Sequence, residues 1–159
     1  MKPLCVDTSF LIDLWIEYYP PDQFPDLWSE VLPKLIEEDN FFSPHEVFQE
    51  LSGKAADLKR WAHAHRQMFR MPDQDTCVHL KEILKRNPEC VDKFKRGPHA
   101  DSLVAAMAKA TGAIAVTRER RDGSTPSQRK PRVHTLCMQN DIDCFVTVSD
   151  FRRHIGWPS

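Results

Sequence analysis

The sequence predicts an α/β fold, with a central, mainly parallel twisted sheet of four to five strands flanked by helices. Short apolar runs of strand length, LCVDT (4–8), NFFS (40–43), AIAVT (113–117) and DCFVTV (143–148), are separated by stretches of helical periodicity. That alternation is the pattern of crossover-connected parallel strands. A chain of 159 residues is long enough for one real core and too short for two, so residues 1–159 are read as a single domain.

Each element has a local reason. After LCVDT, the segment SFLIDLWIEYY places Phe10, Leu11, Leu14, Trp15 and Tyr18 at helical spacing. The prolines of YPPDQFP make a loop, and LWSEVLPKLIEE turns Leu27, Val31, Leu35 and Ile36 to one side of a second helix. In SPHEVFQELS, Ser43 is the expected N-cap, with Pro44 at the first helical position and Glu46 as the return partner of a capping box. Helix is expected through AADLKRWAHAHRQM and DTCVHLKEILKRN, and Gly97-Pro98 breaks the chain before a helix closed by Gly112. AIAVT then forms a strand, and RERRDGSTPSQRKPR is a loop. VHTLCMQNDI is helical, DCFVTV is the last strand, and a terminal helix begins at Ser149. Trp15, Trp28 and Trp61 fall at apolar helical positions and read as core or dimer-face residues rather than base-stacking platforms.

Composition sets limits on function. An apolar fraction of 41% and a charged fraction of 28% are those of a soluble chain, and no apolar run is long enough to span a bilayer. The N-terminus has no signal-peptide pattern, so a cytoplasmic location and no membrane partner are expected. Five cysteines without a CxxC pair suggest neither a disulfide framework nor a zinc ribbon, and Cys5 and Cys144 read as buried thiols. His63 and His65, two apart on a helix, cannot face one ion, and His99 reads as a loop residue. The net charge of −1 conceals a division: residues 1–50 hold 2 basic and 11 acidic side chains, leaving 20 basic and 12 acidic for 51–159. An acidic centre with a basic approach suits a metal-dependent enzyme acting on a polyanion, and solvated helix faces give the same division.

Four carboxylates stand where an α/β sheet gathers ligands, at the carboxyl ends of its strands. Asp7 ends the first strand, Asp101 lies in the first turn of the alanine-rich helix, and Glu119 follows AIAVT by two residues. Glu50 lies on the helix after NFFS and is preferred to Glu46, which has the capping role. Such acids repel unless cations share the space, and oxygen donors suit Mg²⁺ or Mn²⁺. Two ions about 3.5–4 Å apart are a common device for phosphodiester hydrolysis. Each acid also has a structural explanation: Asp101 suits the helix dipole, Asp7 a turn, and Glu119 an ion pair among Arg118, Arg120 and Arg121, with Asp122 competing for its role. The loop 118–132 offers Arg118, Arg120, Arg121, Arg129, Lys130 and Arg132 as phosphate contacts or as a solvated surface.

MKPLCVDTSFLIDLW resembles the first motif of the PIN domain, an aspartate after an apolar strand followed by Thr or Ser and a helix. SPHEVFQEL resembles the second, with Glu50 directly before Leu51, and HADSLVAAMAKATGAIAVT the third, an Ala-Asp-x-x-Ile/Val-Ala-x-Ala helix and its strand. Order, spacing and length agree over nearly the whole chain. The likeness is nearest to a prokaryotic subgroup with the same Asp-x-Trp and Tyr-Pro-Pro first helix, and looser to VapC-type toxins. The resemblance implies a PIN-like fold, metal-binding acids at Asp7, Glu50 and Asp101, and supporting hydroxyls at Thr8, Ser9 and Thr117. Its fourth acid falls on Glu119, where the family commonly has aspartate. The implied activity is a Mg²⁺- or Mn²⁺-dependent endoribonuclease, the toxin of a toxin–antitoxin pair, with an RNA such as tRNA as substrate and an antitoxin protein as partner. The alternative is a PIN-like module with an incomplete site that binds RNA or a protein without cutting. Apolar helix surface near Trp15 and Trp28 further suggests a homodimer.

Overall fold

The computed structural model describes residues 1–51, 55–92, 97–98, 100–118 and 132–158. In chain order, β1 (Leu4–Val6) leads into α1 (Thr8–Asp13), which widens into a π-helical turn at Leu14–Tyr18; a second such turn, Leu27–Val31, runs into α2 (Leu32–Glu37). Then come β2 (Phe41–Pro44), α3 (His45–Glu50), α4 (Ala56–Ala64), β3 (Phe69–Arg70), α5 (Gln74–Arg86) and the two-residue strands β4 (Val91–Asp92) and β5 (Gly97–Pro98). α6 (Ala100–Thr111), β6 (Ile114–Val116), α7 (Val133–Gln139), β7 (Cys144–Phe145) and α8 (Val148–Ile155) complete the described chain.

Five strands form one sheet in the order β3-β2-β1-β6-β7, and every neighbouring pair is parallel. The expected α/β fold with a parallel sheet flanked by helices is therefore present; β4 and β5 form a separate antiparallel pair. All three residues of β1 and of β6 are buried, as continuous apolar strands covered on both faces should be. α6 packs on β1, β2 and β6 with α5 and α7 against it, and its run of alanines lets it sit close to the sheet: Ala105, Ala106 and Ala108 are all buried. Phe151 of α8 meets Phe10 of α1 edge-on, with ring centroids 4.8 Å apart, and Phe41 of β2 at 6.2 Å.

Several local expectations are corrected. Ser43 does not cap α3: it lies in β2, fully buried, and its hydroxyl donates to the Val6 carbonyl at 2.7 Å, while Pro44 stands at the cap without a side-chain bond. The capping-box role of Glu46 falls with it. The helix after residue 55 stops at Ala64, and its expected continuation becomes a 3₁₀ turn and β3, because Phe48 and the sheet edge offer Phe69 a buried seat. Thr147, not Ser149, caps α8, accepting from the Asp150 N–H at 3.1 Å, so the last strand is only Cys144–Phe145. Trp28 is buried, Trp15 and Trp61 pack on it with centroids 4.7 and 5.0 Å away, and the Trp61 indole donates to the Trp28 carbonyl. Trp28 is thus core and Trp15 and Trp61 pack against it half-buried, while Ile16 beside Trp15 remains exposed. All five cysteines are free; Cys5 is buried and Cys144 half-buried.

Candidate acidic site at the carboxyl edge of the sheet

From β1 the chain next reaches β2 on one side, whereas from β6 it next reaches β7 on the other. Connections leaving neighbouring strands in opposite directions open a crevice at their carboxyl ends, where open α/β sheets bind ligands. Asp7 follows β1 at that point, and Thr117 follows β6. The two strand ends are tied together, since the Asp7 N–H donates to the Val116 carbonyl at 2.9 Å and the Thr117 N–H to that of Phe145 at 3.0 Å.

Asp7 is the N-cap of α1, in extended backbone, and its carboxylate is held on both oxygens. Oδ1 accepts from the Thr8 N–H at 2.7 Å, and Oδ2 accepts from the hydroxyls of Thr117 at 2.9 Å and Ser9 at 3.1 Å. Ser9 Oγ in turn accepts from the Arg118 N–H at 3.1 Å. Thr8 Oγ1 donates to Glu50 Oε2 at 2.8 Å, which brings the end of α3 beside the start of α1. Neither Thr8 nor Ser9 caps α1; both hydroxyls serve acids, and Asp7 does the capping.

Asp7 is only 4% exposed. Burial pushes its carboxyl above the usual carboxylate range; the bonds from Thr117, the Thr8 N–H and Ser9 oppose that rise, and the nearby charge of Glu50 adds to it. Among the described residues no ion pair is formed to either Asp7 or Glu50. One turn inside the strand, burial likewise pushes the Cys5 thiol up, which makes it an inert core group.

Asp101 stands half-buried in the first turn of α6, the helix that packs on β1, β2 and α3. Two acids, Asp7 and Glu50, meet at the crevice. Among the described residues no group of three or more His, Cys, Asp and Glu side chains that could hold a metal ion is found. Glu119, Arg120, Arg121, Arg129 and Lys130, as well as Asp122 and His99, lie outside the described residues. The donors that do meet are all oxygens, the chemistry of a hard divalent cation rather than of zinc.

Arg118 differs from its expected role. Its guanidinium is used within the molecule: Nη2 donates to the Tyr18 phenol at 2.6 Å, Nη1 to the Val146 carbonyl at 3.1 Å, and Nε lies 3.6 Å from Asp13 Oδ2. Nη1 and Nη2 are thus committed within the molecule, while Nε is buried without a hydrogen-bond partner and meets Asp13 only as an ion pair. Asp13 and Tyr18 were not singled out from the sequence as polar partners, since they read there as part of an ordinary amphipathic helix.

Residues 4–157 match the family described as a domain of unknown function, DUF4411. The chain belongs to this family. Among solved structures, a chain of VapBC2 from Rickettsia felis, crystallised bound to a DNA fragment from their promoter, is similar to this DUF4411 chain with a TM-score of 0.49 and 15% identity. The likeness covers 89% of this chain and 96% of that one. No curated protein matches the DUF4411 chain. No described helix is long and apolar enough to cross a membrane.

Proposed function

We propose that this chain is a metal-dependent ribonuclease hydrolysing RNA phosphodiesters, and that it acts as the toxin of a toxin–antitoxin pair. The observation that carries the reading is Asp7, a buried carboxylate at the crevice where the connections from β1 and β6 part, beside a second acid and without a cation from the described protein. Asp7 and Glu50 are the residues that would hold Mg²⁺ or Mn²⁺, with Asp101 and Glu119 completing the set that the motif order implies. When bound, such an ion would supply electrostatic stabilisation of charge developing on the phosphodiester.

The chain's own groups prepare the site. Thr117 and Ser9 fix Oδ2 of Asp7, the Thr8 N–H fixes Oδ1, and the Thr8 hydroxyl orients Glu50. Donors set in advance remove the reorganisation that a mobile acid would need on binding. Arg120, Arg121, Arg129 and Lys130 are the proposed phosphate contacts. The toxin assignment, an antitoxin partner, a tRNA-like substrate and a cytoplasmic setting follow from motif analogy alone.

The test combines cleavage of labelled RNA with Mn²⁺ titration followed by thermal melting. Wild-type chain is expected to cleave in Mn²⁺ and to melt at rising temperature as the ion is added, with both effects lost in Asp7→Asn and Glu50→Gln. Cleavage that persists in EDTA, or in Asp7→Asn, overturns the proposal. A second reading, a binding module without hydrolysis, is favoured by the lack, among the described residues, of a group of three or more side chains that could hold a metal ion. RNA binding with neither cleavage nor a Mn²⁺ shift would select it.

A further inference from the structure

Tyr18 closes the π-helical turn after α1, and 38% of its surface is exposed. An exposed tyrosine ordinarily samples several rotamers, but this one is held by the guanidinium of Arg118, which donates to its phenol at 2.6 Å and places its carbon 5.0 Å from the ring centroid. The guanidinium is itself fixed by the Val146 carbonyl and Asp13. The ring is therefore set in one orientation before any ligand arrives.

Its place is at the crevice. The Arg118 N–H donates to Ser9 Oγ and Ser9 to Asp7 Oδ2, so the backbone of the residue that grips Tyr18 is two hydrogen bonds from the buried carboxylate. Tyr18 is thus linked to Asp7 through the Arg118 side chain and two hydrogen bonds. A fixed aromatic ring with a cation alongside, at the rim of a site for phosphodiester chemistry, suits the flat face of a nucleobase. A phosphate would need a guanidinium that is not already engaged, as this one is.

We propose that Tyr18, held by Arg118, is a stacking platform for an unpaired base of single-stranded RNA whose backbone lies at Asp7. This proposal rests on the ribonuclease reading. Stacking needs only a π face, so the platform tolerates any base and sets a preference for single strands.

The test is fluorescence anisotropy of the full chain in EDTA, with a labelled single-stranded 12-mer RNA and an abasic oligomer of the same length. Wild type is expected to bind the base-bearing strand about fivefold or more tightly than the abasic one. Tyr18→Phe should keep that preference and Tyr18→Leu should abolish it, with circular dichroism confirming that both are folded. Equal binding of the two strands by wild type, or an undiminished preference in Tyr18→Leu, overturns the platform. The same variants assayed for cleavage in Mn²⁺ separate the two ideas: a preference lost in Tyr18→Leu without cleavage by wild type leaves the platform standing and rejects the nuclease.

Discussion

Replacing Asp7 by Asn changes a charge while keeping the shape of the side chain. Asn remains a good N-cap, its Oδ1 can still accept from the Thr8 N–H, and its amide can donate to the Thr117 and Ser9 hydroxyls, which accept as readily as they donate. What is removed is the cost of keeping a carboxylate ionised in a buried place next to Glu50, a cost larger than the gain from its three hydrogen bonds, because the carboxyl is held above its ordinary range. The folded state then binds more protons than the unfolded one between the unfolded value, about 3.9, and the raised folded value. Stability is therefore full below the unfolded value and falls as pH rises through the folded one. Asp7→Asn, which carries no such cost, is therefore expected to be more stable than wild type at pH 7 in the absence of metal. The readout is a melting temperature above that of wild type. The assay is thermal melting in EDTA from pH 4 to 8, with the difference shrinking toward the acid end. Mn²⁺ should reverse the order by stabilising wild type alone, by about 2.7 kcal/mol at a hundredfold excess over its dissociation constant. A variant that melts at or below wild type at pH 7 without metal would refute the reasoning.

Two further substitutions test the framework. Ser43→Ala should lower stability by about 1 kcal/mol in urea unfolding without reducing helix content, because the lost bond is to the Val6 carbonyl and not to a helix end. Loss of helical circular dichroism would restore the capping assignment. Arg118→Met should lower stability by about 1–3 kcal/mol, since it leaves Asp13, only 21% exposed, without its cation and Tyr18 and Val146 without a donor. An unchanged unfolding midpoint would return Arg118 to the solvent and to a phosphate role.

The layered fold was legible because it depends on long-wavelength pattern: four apolar runs with helices between them admit few arrangements other than a parallel sheet. β3 was not, because Phe69–Arg70 is two residues at the tail of a helical stretch and is defined only by pairing with Ser43 and Pro44. Ser43 misled for a related reason. The Ser-Pro-x-Glu signature is local, and the strand that absorbed it is held by a parallel neighbour distant in sequence. At the site, the meeting of Asp7 with Glu50 and of Asp7 with Thr117 could be anticipated from their positions after strands and on the following helix. The Arg118, Tyr18 and Asp13 contacts could not, because they join residues about a hundred positions apart whose side chains have ordinary explanations on their own elements.

The cap at the head of α1 bears on why an acid is there at all. Asn and Asp serve about equally well as N-caps, and the ladder bond from residue 7 to Val116 uses only the backbone, so neither architecture nor capping requires a charge. The Arg118 main chain contacts Ser9, but its guanidinium makes no ion pair with Asp7. Instead it goes to Asp13, Tyr18 and the Val146 carbonyl. Among the described residues the buried carboxyl of Asp7 is thus met by hydrogen bonds and by no cation. A structural role explains the position but not the acid; the proposed divalent cation would explain both.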